Sequence, residues 1–241
     1  MSVLVFTENW DGKFKKLSFE LVSYAASVAG MMNMKVTAFT IGKAADEELK
    51  ELGRYGAHRV LSLVSPALEV MDNRTWSKVI SDLAAKEGSK IIILSNNMTG
   101  KALAPGVAVR LKAGIGSGVS RLPVSTEPFT VYKRAYSGNA FANVVLRSEV
   151  KIITRAQNSY EIIERPAGAI PETVDVDVDQ SLPATTVTST HKQTGKILLT
   201  DAEGVVSGGR GMKSPDNWEL VLNWPLYLTA QLPVRDRYRK N

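Results

Sequence analysis

An α/β domain with a mostly parallel sheet flanked by helices, closed by an antiparallel hairpin, is what residues 1–157 predict; the incomplete start of a second, doubly wound unit follows. Three observations carry this reading. Short apolar runs alternate with amphipathic stretches from Ser2 to Leu111, as a parallel sheet with crossover helices requires. Two strand-like runs then flank "SGNA" at 137–140, which is hairpin patterning. Finally, "KILLTDAEGVVSGGRG" at 196–211 sets a strand ahead of a glycine turn, as at the opening of another α/β unit.

The elements follow in order. "VLVF" (3–6) is the first strand, and after the turn "ENWDGK" the residues Leu17, Leu21, Tyr24 and Val28 mark one face of a helix that Gly30 is expected to end. "KVTAFTIG" is the second strand, "ADEELKELGRYG" a helix with acidic residues in its first turn, and "HRVLSLV" the third strand. "NRTWSKVISDLAAKEG" repeats the helix and "KIIIL" reads as a buried fourth strand. "SNNMTGKALAPGVAVRLKAG" is a strand end, a polar loop and a helix. In the hairpin, Ala142, Val144 and Leu146 alternate with Asn143 and Arg147. Residues 158–195, rich in Pro, Thr and Asp, read as a linker in which "VDVDVD" is a possible edge strand. Residues 196–220 start the second unit, and 221–241 form a tail that fits neither.

Composition narrows the function classes. At 241 residues and 44% hydrophobic, the chain can bury a core. It has no Cys, which removes disulfides, thiol nucleophiles and Cys-based zinc sites and fits a reducing, bacterial cytoplasm. Neither a leader peptide nor a run of ~18 apolar residues is seen, so no membrane span is expected. Net charge is +6, but the last 21 residues hold Arg235, Arg237, Arg239 and Lys240 against Asp236, leaving +3 for residues 1–220. No basic groove interleaved with aromatics appears, so nucleic acid is not an expected partner. His58 and His191 are far apart, lack metal-site or triad spacing, and read as surface or structural residues.

Two loops could carry ligands. "SNNMTGKAL" (95–103) lies at the carboxyl edge of the sheet, where ligands bind in such folds. It reads either as a nucleotide-contacting loop or as a polar connection with Thr99 as helix N-cap, the second being favoured. In "GVVSGGRGMKSPDNW" (204–218), Gly208, Gly209 and Gly211 permit a tight turn and close backbone approach. Ser214 and Pro215 read as N-cap and first helical residue, and Arg210 offers a planar fork for phosphate or for stacking on a flat ring. By spacing alone, a ligand loop and a surface glycine turn are equal readings, and neither GxGxxG nor GxxxxGK[ST] is matched.

Beyond spacing, residues 1 to about 220 resemble the α subunit of electron transfer flavoproteins. The matching stretches are "VLVFTENWDGKFKKLSFELVSYA", "MTGKALAPGVAVRLKAGIGSGVS", "YSGNAFANV" and above all "VVSGGRGMKSPDNWELV". The resemblance implies a first domain contacting a β subunit in a heterodimer and a second domain binding FAD. The flavin would pass electrons from acyl-CoA and other dehydrogenases to a quinone reductase. It maps the flavin-contacting arginine onto Arg210, flanked by Gly208, Gly209 and Gly211. Gly106 departs from the larger, often basic residue of family members. The family's later flavin contacts, a Ser-Arg pair, a Gly-Gln-Thr-Gly loop, a helix start with Gln and His and an Asn-Lys-Asp turn, are not in this sequence.

After Leu220 the family would continue an amphipathic helix, whereas "VLNWPLYLTAQLPVRDRYRKN" brings Pro225, Pro233 and an Arg-rich end. This reads as a truncated or frameshifted flavin domain. Three functions stay open: a non-enzymatic electron carrier, a non-redox α/β module that partners a β subunit, and a non-functional fragment. One charge-assisted contact is worth ~1.5–3 kcal/mol and micromolar affinity needs about 8 kcal/mol, so the chain by itself is expected to hold FAD more weakly than micromolar. Residues 1 to about 190 are expected to fold independently, and those after Val221 to pack loosely.

Overall fold

A computed structural model describes residues 1–178, 187–189, 207–219 and 221. The chain divides into two compact units, residues 1–186 and 187–241. His191, the whole stretch 196–206 and the tail from 222 onward lie outside the described residues, and with them the expectations placed there.

The first unit opens with β1 (Ser2–Phe6), the short β2 (Asn9–Trp10) and β3 (Lys13–Phe14), α1 (Lys16–Met31) and β4 (Lys35–Ile41). There follow α2 (Asp46–Gly53), β5 (Arg59–Val64), α3 (Asn73–Lys86), β6 (Ser89–Ser95) and α4 (Met98–Leu111). The chain then forms β7 (Gly114–Val119), β8 (Ser125–Thr126), β9 (Phe129–Ala135), β10 (Ala140–Val145), β11 (Lys151–Arg155) and β12 (Ile170–Asp175). The main sheet runs β10-β9-β7-β11-β6-β1-β4-β5-β12, with β8 added to β9. From β7 through β11 to β12 every pairing is parallel. The hairpin β9–β10 is antiparallel, as its alternation predicts.

Alternate residues of the central strands serve two cores. Val3, Val5, Ala38, Val60, Ile91 and Ile93 pack with Leu21, Tyr24, Val28, Leu49 and Leu52 of α1 and α2. Leu4, Phe6, Phe39, Leu61, Ile92 and Leu94 pack with Val79, Ile80, Leu83, Leu103 and Val107 of α3 and α4. Helices therefore cover both faces, which is why β1 and β6 are continuous apolar runs. α3 and α4 approach closely at Gly106, where an added Cβ would lie 2.6 Å from Ser77 Oγ; no larger side chain fits there without a shift.

Several local expectations are revised. Gly30 does not end α1: the helix runs to Met31, and the left-handed residue behind it is Asn33 (φ 52), followed by Met34 N donating to the Ala29 carbonyl at 2.9 Å. β7, "GIGSGV", was not expected as a strand. Gly116 faces β9, where a Cβ would stand 2.9 Å from Val131 Cγ2, whereas a Cβ on Gly114 would stand 2.8 Å from Ser148 Oγ and Gly118 has φ +70. β11 does not stay with the hairpin but returns between β6 and β7. Within the stretch read as linker, the edge strand is Ile170–Asp175, paired parallel to β5; it starts four residues before "VDVDVD" (174–179) and shares Val174 and Asp175 with it.

Residues 156–169 form a strap held by polar side chains buried on α1. The Glu20 carboxylate accepts from the backbone N–H of Asn158, Ser159 and Tyr160 at 2.9–3.1 Å. Ser23 Oγ accepts from Ile163 N at 3.1 Å, and Ser27 Oγ accepts from Tyr160 Oη and Arg165 Nη1. Under the strap lies Arg155, fully buried, its guanidinium 4.7 Å from the Tyr24 ring and 5.6 Å from that of Tyr160. Nη1 donates to the Val119 carbonyl, while Nε and Nη2 have no acceptor.

Tyr24, whose hydroxyl donates to the Arg121 carbonyl at 3.1 Å, is pushed well above the ordinary phenol range by burial, partly offset by the Arg155 guanidinium. A raised acid pKa means the unfolded chain loses this proton first as pH climbs past about 10. The folded state then binds more protons, and stability falls by up to about 1.4 kcal/mol per pH unit. Tyr24→Phe is expected to cost about 1 kcal/mol near neutrality and to overtake the wild type near pH 11. Urea denaturation of both proteins at the two pH values checks it, and an unchanged gap would refute it.

Candidate functional site

The predicted ligand loop lies in the second unit. Two 3₁₀ turns, Arg210–Met212 and Pro215–Trp218, are joined by Met212 N donating to the Gly209 carbonyl (2.9 Å) and Asn217 Nδ2 donating to the Met212 carbonyl (2.7 Å). Ser214 caps the second turn as expected, accepting from Asp216 N at 3.3 Å. That turn leads directly into Glu219 and Val221, both helical, so Ser214 and Pro215 stand at the start of a helical segment whose further residues lie outside the described ones. None of the three glycines is left-handed, the residue with positive φ being Lys213 (φ 60), and only Gly208 is needed for space.

Each glycine has a separate setting. A Cβ on Gly208 would lie 3.1 Å from ring carbons of the buried Trp218, so Gly208 lets the loop close onto that indole. Gly209 and Gly211 would meet nothing within 4 Å. Between them Arg210 is exposed, an unobstructed cationic fork flanked by two open backbone faces, which is the geometry of close approach by a flat anionic ligand.

In the first unit, the ends of β1 and β6 carry a second polar constellation. Asn97, not Thr99, caps α4: its Oδ1 accepts from Gly100 N at 2.9 Å. Asn97 Nδ2 donates to Glu8 Oε1 at 2.6 Å, and Ser95 Oγ lies 2.8 Å from the same oxygen. Asn9 Nδ2 donates to Thr40 Oγ1 and to the Ile41 carbonyl. Beside these groups opens a cleft of about 170 Å³ walled by Phe6, Ile41, Met71 and Trp76 and rimmed by Glu8, Asn9, Trp10 and Thr99. Sequence reasoning singled out Thr99's loop but missed Glu8 and Trp76, which only the fold brings to it. His58 is exposed, with Nδ1 accepting from Val36 N at 3.3 Å. Among the described residues no group of acidic and imidazole ligands could hold a metal, and no helix is long and apolar enough to cross a membrane.

Helices on both faces of a parallel sheet with the first strand at its centre define a doubly wound α/β protein. The chain belongs to the electron transfer flavoprotein family: the family model for the electron transfer flavoprotein domain matches residues 3–181. It is 26% identical over 218 residues to the electron transfer flavoprotein subunit alpha of Bacillus subtilis (strain 168), covering 90% of this chain and 66% of that protein. It is 29% identical to Protein FixB of Clostridium saccharobutylicum (91% and 67% covered). It is 25% identical to the acryloyl-CoA reductase electron transfer subunit beta of Anaerotignum propionicum (87% and 65%). The chain thus spans about two thirds of the length of these relatives.

Proposed function

We propose that the chain is the α-type subunit of an electron transfer flavoprotein, a non-enzymatic carrier that pairs through residues 1–157 with a β subunit in a heterodimer. Its FAD would take electrons from acyl-CoA and related dehydrogenases and deliver them to a quinone reductase. The observation that carries this reading is Arg210, exposed between two glycines whose faces are open. These residues fit one edge of a flavin. When bound there, FAD supplies the redox chemistry; the protein's part is to hold it and tune it. Arg210 would place a fixed positive charge against it, and Gly209 and Gly211 would let the backbone come close. Family relatives named as electron transfer subunits support the reading, as does a cysteine-free sequence suited to a reducing cytoplasm.

The test uses the chain co-purified with its β-type partner. Arg210→Ala is expected to weaken FAD binding roughly 10- to 150-fold, the loss of one charge-assisted contact, with the complex otherwise intact. Flavin absorbance after dialysis measures it. Flavin content unchanged by the substitution would remove Arg210 from the site, and a stoichiometric but colourless wild-type complex would favour the non-redox partner module.

A further inference from the structure

The direction of the sheet reverses between β1 and β6. β1 leads through α1 to β4 on one side, whereas β5 leads through α3 back to β6 on the other. Segments leaving the carboxyl ends of these two strands diverge, and ligands of open α/β sheets bind in the crevice so formed. Here that crevice is the cleft of about 170 Å³. It falls below the ~300–1,000 Å³ of drug-sized ligand sites, which leaves room for less than a dinucleotide.

The polar groups of the cleft are unequal. Glu8 uses Oε1 for Ser95 and Asn97, and among the described residues no donor meets Oε2. Asn9 spends Nδ2 on Thr40 and Ile41, which fixes its Oδ1 as an acceptor. Two acceptors thus wait on one rim, and a ligand must bring hydroxyl or amine donors to them. The opposite wall is aromatic and apolar: Trp76 packs edge-on against Phe6 (6.2 Å, 86°), and its indole N–H is buried without an acceptor. Among the described residues no Lys or Arg lines the cleft itself, and the Glu8 carboxylate there disfavours a phosphate.

We propose that this cleft binds a nucleoside, its base against Ile41, Met71 and Trp76 and its ribose hydroxyls donating to Glu8. The proposal uses none of the residues of the Arg210 loop, and its test needs no flavin. Isothermal titration of the full-length chain with adenosine tests it, with 2′-deoxyadenosine, AMP and tryptamine as comparison ligands. Saturable adenosine binding tighter than about 1 mM is expected. Glu8→Gln, which keeps an oxygen for Asn97 and Ser95, should weaken it about tenfold at an unchanged thermal midpoint, and loss of the 2′-hydroxyl should do the same without touching the protein. No saturable binding, equal affinity for deoxyadenosine, or AMP or tryptamine binding more than tenfold tighter would each overturn the proposal.

Discussion

Gly100→Ala is expected to destabilise the first unit by at least about 3 kcal/mol, lowering its thermal midpoint by roughly 6–12 °C. An added Cβ would sit 1.8 Å from the Ser95 carbonyl oxygen and 2.9 Å from its carbon. The obstacle is backbone at the end of a central strand, so no rotamer change relieves it; α4 must move away from β6. That movement would also pull Asn97 and its cap from Glu8, 2.6 Å away, and open the cleft. Gly30→Ala is the matched comparison. Gly30 lies in the last turn of α1, is exposed, and would meet nothing within 4 Å, so the same methyl group should stabilise by about 0.5–1 kcal/mol through helix propensity. Urea denaturation of both variants reads the two signs. A Gly100→Ala protein within about 0.5 kcal/mol of wild type would show that the contact between α4 and β6 is not tight.

Legibility followed burial symmetry. β1, β4, β5 and β6 are apolar on both faces because helices cover both sides, so each announced itself as a continuous run. β7 did not, since Gly114, Gly116 and Gly118 carry no apolar signal; Gly116 is crowded by Val131 and Val119, Gly114 by Ser148, and Gly118 has a positive φ. β12 hid in a Pro- and Asp-rich stretch because an edge strand needs few buried side chains; four of its six residues are exposed, and its Arg59–Glu172 pair at 2.8 Å is a surface contact of small worth. Helix ends were misjudged where Asn did the work of Gly or Thr, at Asn33 and Asn97. The Arg210 loop was visible because its residues are consecutive. The cleft was not, because Glu8, Ile41, Met71, Trp76 and Thr99 come from five separate segments. Likewise nothing in the sequence marked Glu20, Ser23 and Ser27, whose partners lie in the strap of residues 156–169.

Arg155 beneath that strap poses a contest between two large effects, and a pair of substitutions decides it. The guanidinium is fully buried, makes one hydrogen bond to the Val119 carbonyl, and leaves Nε and Nη2 without acceptors. Burial accordingly lowers its pKa, with Tyr24 and Glu20 pulling the other way. Such a charge carries a desolvation cost of several kcal/mol that its partners offset only in part. Its volume, on the other hand, fills the space between the Tyr24 and Tyr160 rings and supports the strap. Arg155→Ala removes charge and volume together; the cavity term of about 2–5 kcal/mol outweighs the relief of desolvation, and a net loss of about 2–4 kcal/mol is expected. Arg155→Met keeps most of the volume and discards the charge, so it should lie within about 1 kcal/mol of wild type or above it. Glu20 is not stranded by either change, because three backbone N–H groups hold its carboxylate. Equilibrium urea unfolding of the two variants gives the answer. If Met proves as costly as Ala, the charge itself holds Tyr24 and Tyr160 in place, and cation–π attraction across the strap, rather than packing, is what anchors residues 156–169 to α1.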